Sequence, residues 1–100
     1  MLIARQVFQA RYGHGDELVA LFQELNTRLG EGDESAPRFR ILTDVSGPFF
    51  TVVTEVEVES MAAWEGGFQE AMNQPWMSDW FGRMKPLVES GRREFYRVVE

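Results

Sequence analysis

The chain has no cysteine, one histidine and four prolines in 100 residues. Without cysteine there are no disulfides and no thiolate chemistry, which fits a reducing compartment. One histidine leaves only carboxylates as metal ligands. Glu31, Asp33 and Glu34 do not have the spacing of a calcium loop. Glu55, Glu57 and Glu59 stand roughly 7 Å apart along an extended chain, so they read as solvated or arginine-paired, and no metal is expected. Basic residues are also scarce: 10 Lys and Arg face 16 Asp and Glu, a net charge of −6. That balance repels phosphate backbones and anionic lipid, so neither nucleic acid nor a membrane is an expected partner. No stretch approaches 18 uninterrupted apolar residues, and no basic segment followed by an apolar one opens the chain. A soluble, cytoplasmic protein is expected.

What is present is an ordinary globular composition, 44% hydrophobic and 26% charged. The length suits one domain spanning 1–100, which buries about two thirds of its unfolded surface. Phe49 to Glu59 is the one long period-two run. Alternate residues of a strand point to opposite faces, so Phe50, Val52, Thr54, Val56 and Val58 form an apolar face. Phe49, Thr51, Val53, Glu55, Glu57 and Glu59 form the other.

Leu2 to Tyr12 alternates in the same way and reads as a strand stopped by Gly13-His14-Gly15. From Asp16 the spacing becomes helical, with Leu18, Leu21, Phe22, Leu25 and Leu29 on one stripe and Gly30 as the stop. Glu31 to Ala36 reads as an acidic loop. Pro37 to Val45 reads as a second strand, and Ser46-Gly47-Pro48 joins it to the Phe49 strand as an antiparallel hairpin. Ser60 can cap a helix with a buried stripe of Met61, Trp64, Phe68 and Met72. Gly66-Gly67 within it implies either a very close neighbour or an irregular helix. Pro75 suits the start of a short helix carrying Trp76, Met77, Trp80, Phe81 and Met84, which Pro86 limits. Gly91 resets the chain, and Arg92 to Glu100 reads as the last strand.

Strand, helix, strand, strand, helix, strand predicts an α+β, ferredoxin-like fold, a four-stranded antiparallel sheet with helices on one face. The other face is then bare. It holds Arg5, Val7, Arg40, Leu42, Phe49, Thr51, Val53 and Glu55, with Ile3 and Arg38 beside them. An apolar surface that broad implies self-association as a twofold homodimer.

Gly13-x-x-Asp16-Glu17-Leu18, Trp64-x-x-x-Phe68, Pro75-Trp76 and the ending Pro86-Leu87-Val88-Glu89-Ser90-Gly91-Arg92-Arg93-Glu94-Phe95-Tyr96 together resemble the dimeric α+β barrel proteins. Within these the chain is most similar to the NIPSNAP-like and antibiotic-biosynthesis-monooxygenase-like groups. The resemblance implies a protomer whose open sheet meets its twin to close a barrel, with a ligand pocket between sheet and helices. The haem-degrading members use an asparagine, a tryptophan and a histidine. The corresponding roles fall here on Gln6, Val58 and Trp80, which do not match, so no haem or other cofactor is expected.

The pocket candidates are Gln6, Phe8, His14, Trp64, Trp80 and Tyr96. The aromatics suit a cavity for a small, largely apolar molecule, although aromatics at helical spacing are more often core. Gln6 would be a polar group within that cavity. His14 could shuttle a proton at its rim, but reads more simply as an exposed loop residue. No residue is assigned as catalytic. Besides small-molecule binding, two roles remain open: cofactor-independent oxygenation around Gln6, Trp64, Trp80 and Tyr96, and a pure assembly domain. RNA recognition fails for want of exposed strand aromatics and a basic surround.

Overall fold

In the structure, a computed structural model that describes residues 1–32 and 38–100, the elements follow the expected order. They are β1 (Leu2–Ala10), α1 (Gly15–Gly32), β2 (Arg40–Thr43), β3 (Thr51–Val58), α2 (Met61–Met72), α3 (Met77–Met84), a 3-10 turn (Lys85–Leu87) and β4 (Val88–Arg97). The sheet runs β2-β3-β1-β4, every neighbour antiparallel, which is the ferredoxin-like arrangement. The helices cover one side only. The molecule is therefore a slab of two layers, 37 × 34 × 19 Å.

The core forms where α1 and α3 cross the sheet. Ala10 and Val52 from the strands meet Leu18, Leu21 and Phe22 of α1 and Met77 and Trp80 of α3, all buried. Phe22 is the hinge of this cluster, its ring 5.0 Å from Phe8, 5.5 Å from Trp80 and 6.1 Å from Phe39. Asn26 ties α1 to the start of β2. Its Nδ2 donates to the Phe39 carbonyl at 2.9 Å and its Oδ1 accepts from the Phe39 amide at 3.2 Å.

Several boundaries depart from the expected ones. The helix α1 runs through Gly30 to Gly32. Gly30 serves not as a left-handed stop but as a seat for Arg38, whose Nη2 would lie 2.7 Å from an added Cβ. Of the expected acidic loop, Glu31 and Gly32 are helical, while 33–36, like the expected strand start at Pro37, lie outside the described residues. The strand β2 is confined to Arg40–Thr43, and β3 begins only at Thr51.

Phe49 and Phe50 belong to the connecting loop, because Phe50 takes the left-handed region at φ 62. Such a conformation costs a bulky residue about 1–2 kcal/mol. Offsetting it, the ring packs at 3.0 Å from the position of a Gly15 Cβ and edge-on to Tyr12 at 5.0 Å, and the Phe50 carbonyl accepts from the Ala10 amide. A side chain at residue 15 would close that space.

Gly91 does not reset the chain. It lies inside β4 opposite Phe8, whose ring would stand 3.1 Å from an added Cβ. In the second half Ser60 caps α2 as expected, its Oγ accepting from the Ala63 amide at 3.1 Å. The expected buried stripe is absent: no residue of α2 is buried, and Met61 is 42% exposed. Gly66 and Gly67 sit in an unbroken helix with nothing within 4 Å of an added Cβ, so neither expected explanation of that pair holds.

Candidate functional site

Side chains on the helix side of the sheet form rows across β3, β1 and β4. The first is Val52, Phe8, Gly91; the next is Thr54, Gln6, Arg93; the third is Val56, Ala4, Phe95. The first row lies under α1 and α3 and is part of the core. The third faces α2, where Trp64 stacks on Phe68 at 5.0 Å and meets Phe95 edge-on at 5.1 Å. The polar middle row borders the same helix. The Arg93 guanidinium lies 4.6 Å from the Trp64 ring centre and 5.0 Å from that of Phe68. Because α2 buries none of its residues, this aromatic and cationic group remains open to solvent.

The expected pocket residues are not gathered in one place. Gln6 stands beside Arg93 in the middle row, and Trp64, on α2, meets Arg93 and Phe95. Phe8 packs into the core against Phe22. Trp80 is 2% exposed, and its indole Nε1 donates to the Leu21 carbonyl at 2.9 Å, so it is core with its polar atom satisfied. His14 lies in the β1–α1 connection, its Nδ1 3.0 Å from an exposed Glu17 carboxylate. Tyr96 pairs with Ile3 on the opposite side of the sheet, where the Arg5 guanidinium lies 5.8 Å from its ring. The neighbouring Phe95, not Tyr96, faces Trp64. Arg93 shares the parity of Phe95 in the last strand, but an arginine on the helix side of a sheet runs against the apolar pattern, so alternation alone does not mark it as a site residue.

The bare face carries a ladder of alternating charge. Arg40, Glu55, Arg5 and Glu94 stand side by side across β2, β3, β1 and β4. Glu55 is 6% exposed, with Arg5 Nε donating to Oε2 at 2.7 Å and Arg40 Nη2 to Oε1 at 2.6 Å. The hydrogen bond from Arg5, then that from Arg40, holds the Glu55 carboxyl below its ordinary range against the opposing effect of burial. Arg92 does the same for Glu94 across 2.9 Å. The next row, Leu42, Val53, Val7 and Arg92, is mainly apolar, and Ile3 and Tyr96 extend the apolar area beyond the ladder. Thr51 also belongs to this face, opposite Gln9. Phe49 does not: it is in the loop, 69% exposed, with its ring 6.4 Å from Tyr12.

Two surface grooves lie elsewhere. One runs along α1 to the 3-10 turn between Glu17, Glu24, Arg83 and Leu87, and the other lies between Asp16, Asp44 and Phe49. Among the described residues, no three His, Asp or Glu side chains group as a metal site, and no helix is long and apolar enough to cross a membrane.

No family model matches the chain, and no curated protein matches it. Solved structures do. A NIPSNAP domain protein from Burkholderia xenovorans superposes with a TM-score of 0.84 at 17% identity, covering 99% of this chain and 95% of its own. A NIPSNAP family protein from Agrobacterium tumefaciens gives 0.84 at 13% identity, with 99% and 93% covered. A protein described as an antibiotic biosynthesis monooxygenase from Deinococcus radiodurans gives 0.70 at 17% identity, with 100% and 94% covered. At these identities the likeness is one of fold: the chain has the α+β, ferredoxin-like fold of the NIPSNAP domain and antibiotic-biosynthesis-monooxygenase-like proteins.

Proposed function

We propose that a second copy of the chain covers the bare sheet face, closing a barrel, and that the space beneath α2 binds a small, largely apolar molecule. The observation that carries this reading is surplus surface. The protomer exposes 6829 Å², against roughly 5,800 Å² for a self-sufficient monomer of its mass. The excess, about 1,000 Å², is close to the roughly 800 Å² that each partner gives to a standard interface. Burial of the bare face brings no net charge with its ladder, since Arg40 and Arg5 are balanced by Glu55 and Glu94. The half-buried Trp64 and Phe68 supply the apolar wall for a ligand, and Gln6 supplies a polar group.

Oxygenation without a cofactor is the second reading, favoured by the fold neighbour described as a monooxygenase. Within one protomer it would have to centre on Gln6 and Trp64, because Trp80 is enclosed by the core and Tyr96 is across the sheet. A pure assembly domain would leave Trp64 with no ligand to contact.

Native mass spectrometry of freshly purified protein tests both halves of the proposal. The expected spectrum is a dimer that sheds a small molecule on collisional activation. A bare monomer at high protein concentration would contradict the pairing and the ligand together.

A further inference from the structure

We propose that Arg93 anchors an anionic group, so that the molecule held beneath α2 is a small apolar or aromatic acid. This rests on the binding reading above and specifies the charge of its ligand. The side of a sheet that faces helices is ordinarily apolar, yet here one row across three strands is polar: Thr54, Gln6 and Arg93. On these three strands the rows on either side, Val52, Phe8, Gly91 and Val56, Ala4, Phe95, carry no polar side chain, while β2 adds Thr43 beside Val52 and Ile41 beside Thr54. A polar stripe between two greasy ones suits a ligand that has one polar end.

Arg5, Arg28, Arg40, Arg83 and Arg92 each pair with a carboxylate; among the described residues Arg11 and Arg97 have no acidic partner, and neither has Arg93. Its contacts are instead the faces of Trp64 and Phe68. A cation–π contact draws on the charge of the guanidinium and uses none of its N–H groups as hydrogen-bond donors to a carboxylate, so those donors can serve another group. A carboxylate or sulfonate can take two of those donors at once, which is the geometry arginine supports best. Gln6 and Thr54 stand next in the row with further donors, and no buried side-chain nitrogen or oxygen among the described residues lacks a partner. Thr54 is itself only 6% exposed, so a ligand's anionic end would meet the row chiefly at the exposed Arg93. Trp64, Phe68 and Phe95 would flank its apolar body.

A matched pair of fluorescent probes tests this: anilinonaphthalene sulfonate, and N-phenylnaphthylamine, which has the same ring skeleton without the charge. Titration of the full chain should show the sulfonate binding at least about tenfold more tightly than the neutral probe, as a charge-assisted hydrogen bond implies. Arg93→Gln should erase that preference by weakening the sulfonate alone. Arg93→Lys, which keeps the charge but not the fork, should retain part of it. Arg28→Gln removes the same charge beside Trp76 and should change neither titration. Equal affinities in the native chain, equal losses for both probes in Arg93→Gln, or a matching loss in Arg28→Gln would overturn the assignment while leaving an apolar site in place. If neither probe binds, the binding reading fails, and this inference fails with it.

Discussion

The two halves of the helix layer are built on the same sheet and packed differently. The helices α1 and α3 bury Leu18, Leu21, Phe22, Met77 and Trp80 against it, and the polar atom of Trp80 finds a backbone carbonyl there. The helix α2 carries an equally aromatic stripe and buries none of it. Trp64 and Trp80 make the contrast sharp, since one residue type is closed core in one place and half-open wall in the other. Aromatic content therefore does not separate scaffold from site in this chain; what separates them is whether a second helix closes over the ring.

Substitution of the two tryptophans tests that contrast first. Trp80→Ala empties the core and removes the indole hydrogen bond to the Leu21 carbonyl, and urea unfolding should show a loss of about 3–5 kcal/mol. Trp64→Ala removes a side chain that was never enclosed, and should cost about 1 kcal/mol, mostly from the lost contacts to Phe95 and Phe68. Equal losses would break the comparison.

The bare face comes next in size. Glu55→Ala leaves Arg5 and Arg40 facing an empty place, and a loss of about 1–3 kcal/mol is expected by the same measurement. The acid limb gives a related check. The Glu55, Glu24 and Glu94 carboxyls are all held low in the folded protein by Arg5, Arg83 and Arg92 respectively. A depressed folded value means that the stabilisation is complete above the ordinary carboxylate value of about 4.3 and is lost as pH falls through the lower folded one. Melting temperature should therefore drop on acidification below about pH 4, and Glu55→Gln should make that drop shallower.

The smallest effect belongs to α2 itself. Gly66→Ala and Gly67→Ala each place a methyl in open space on a continuous helix. A gain of about 0.5–1 kcal/mol apiece is expected in thermal unfolding, since glycine gives up more chain entropy there. A loss instead would mean that something packs against that face in solution.

The period-two alternation of Leu2 to Tyr12 and Phe49 to Glu59 was enough to identify two strands and to sort each into two faces, because sheet geometry forces it. Which face of the first and last strands meets the helices came only from the structure. The strand ends were not legible. Phe50 looks like strand by type but takes a left-handed conformation set by Tyr12 and Gly15, which are distant in sequence. Gly91 looks like a break, yet sits within β4 because the Phe8 ring approaches it closely. In the candidate site, Gln6 and Trp64 could be read from alternation and helical spacing. Arg93 could not, because an arginine on the helix side of a sheet contradicts the apolar rule that the reading uses. Tyr96 and Phe95 were distinguishable by parity, but only the structure shows which parity faces α2.

Native-state hydrogen exchange of the ligand-free protein, resolved by segment, tests most directly whether the helix layer is closed on one side and open on the other. Amides within α2 should exchange at least about tenfold faster than those in the middle of α1, through a local opening that leaves α1 and α3 in place. Equal protection of the two helices would contradict that division, and with it the proposal of a ligand beneath α2.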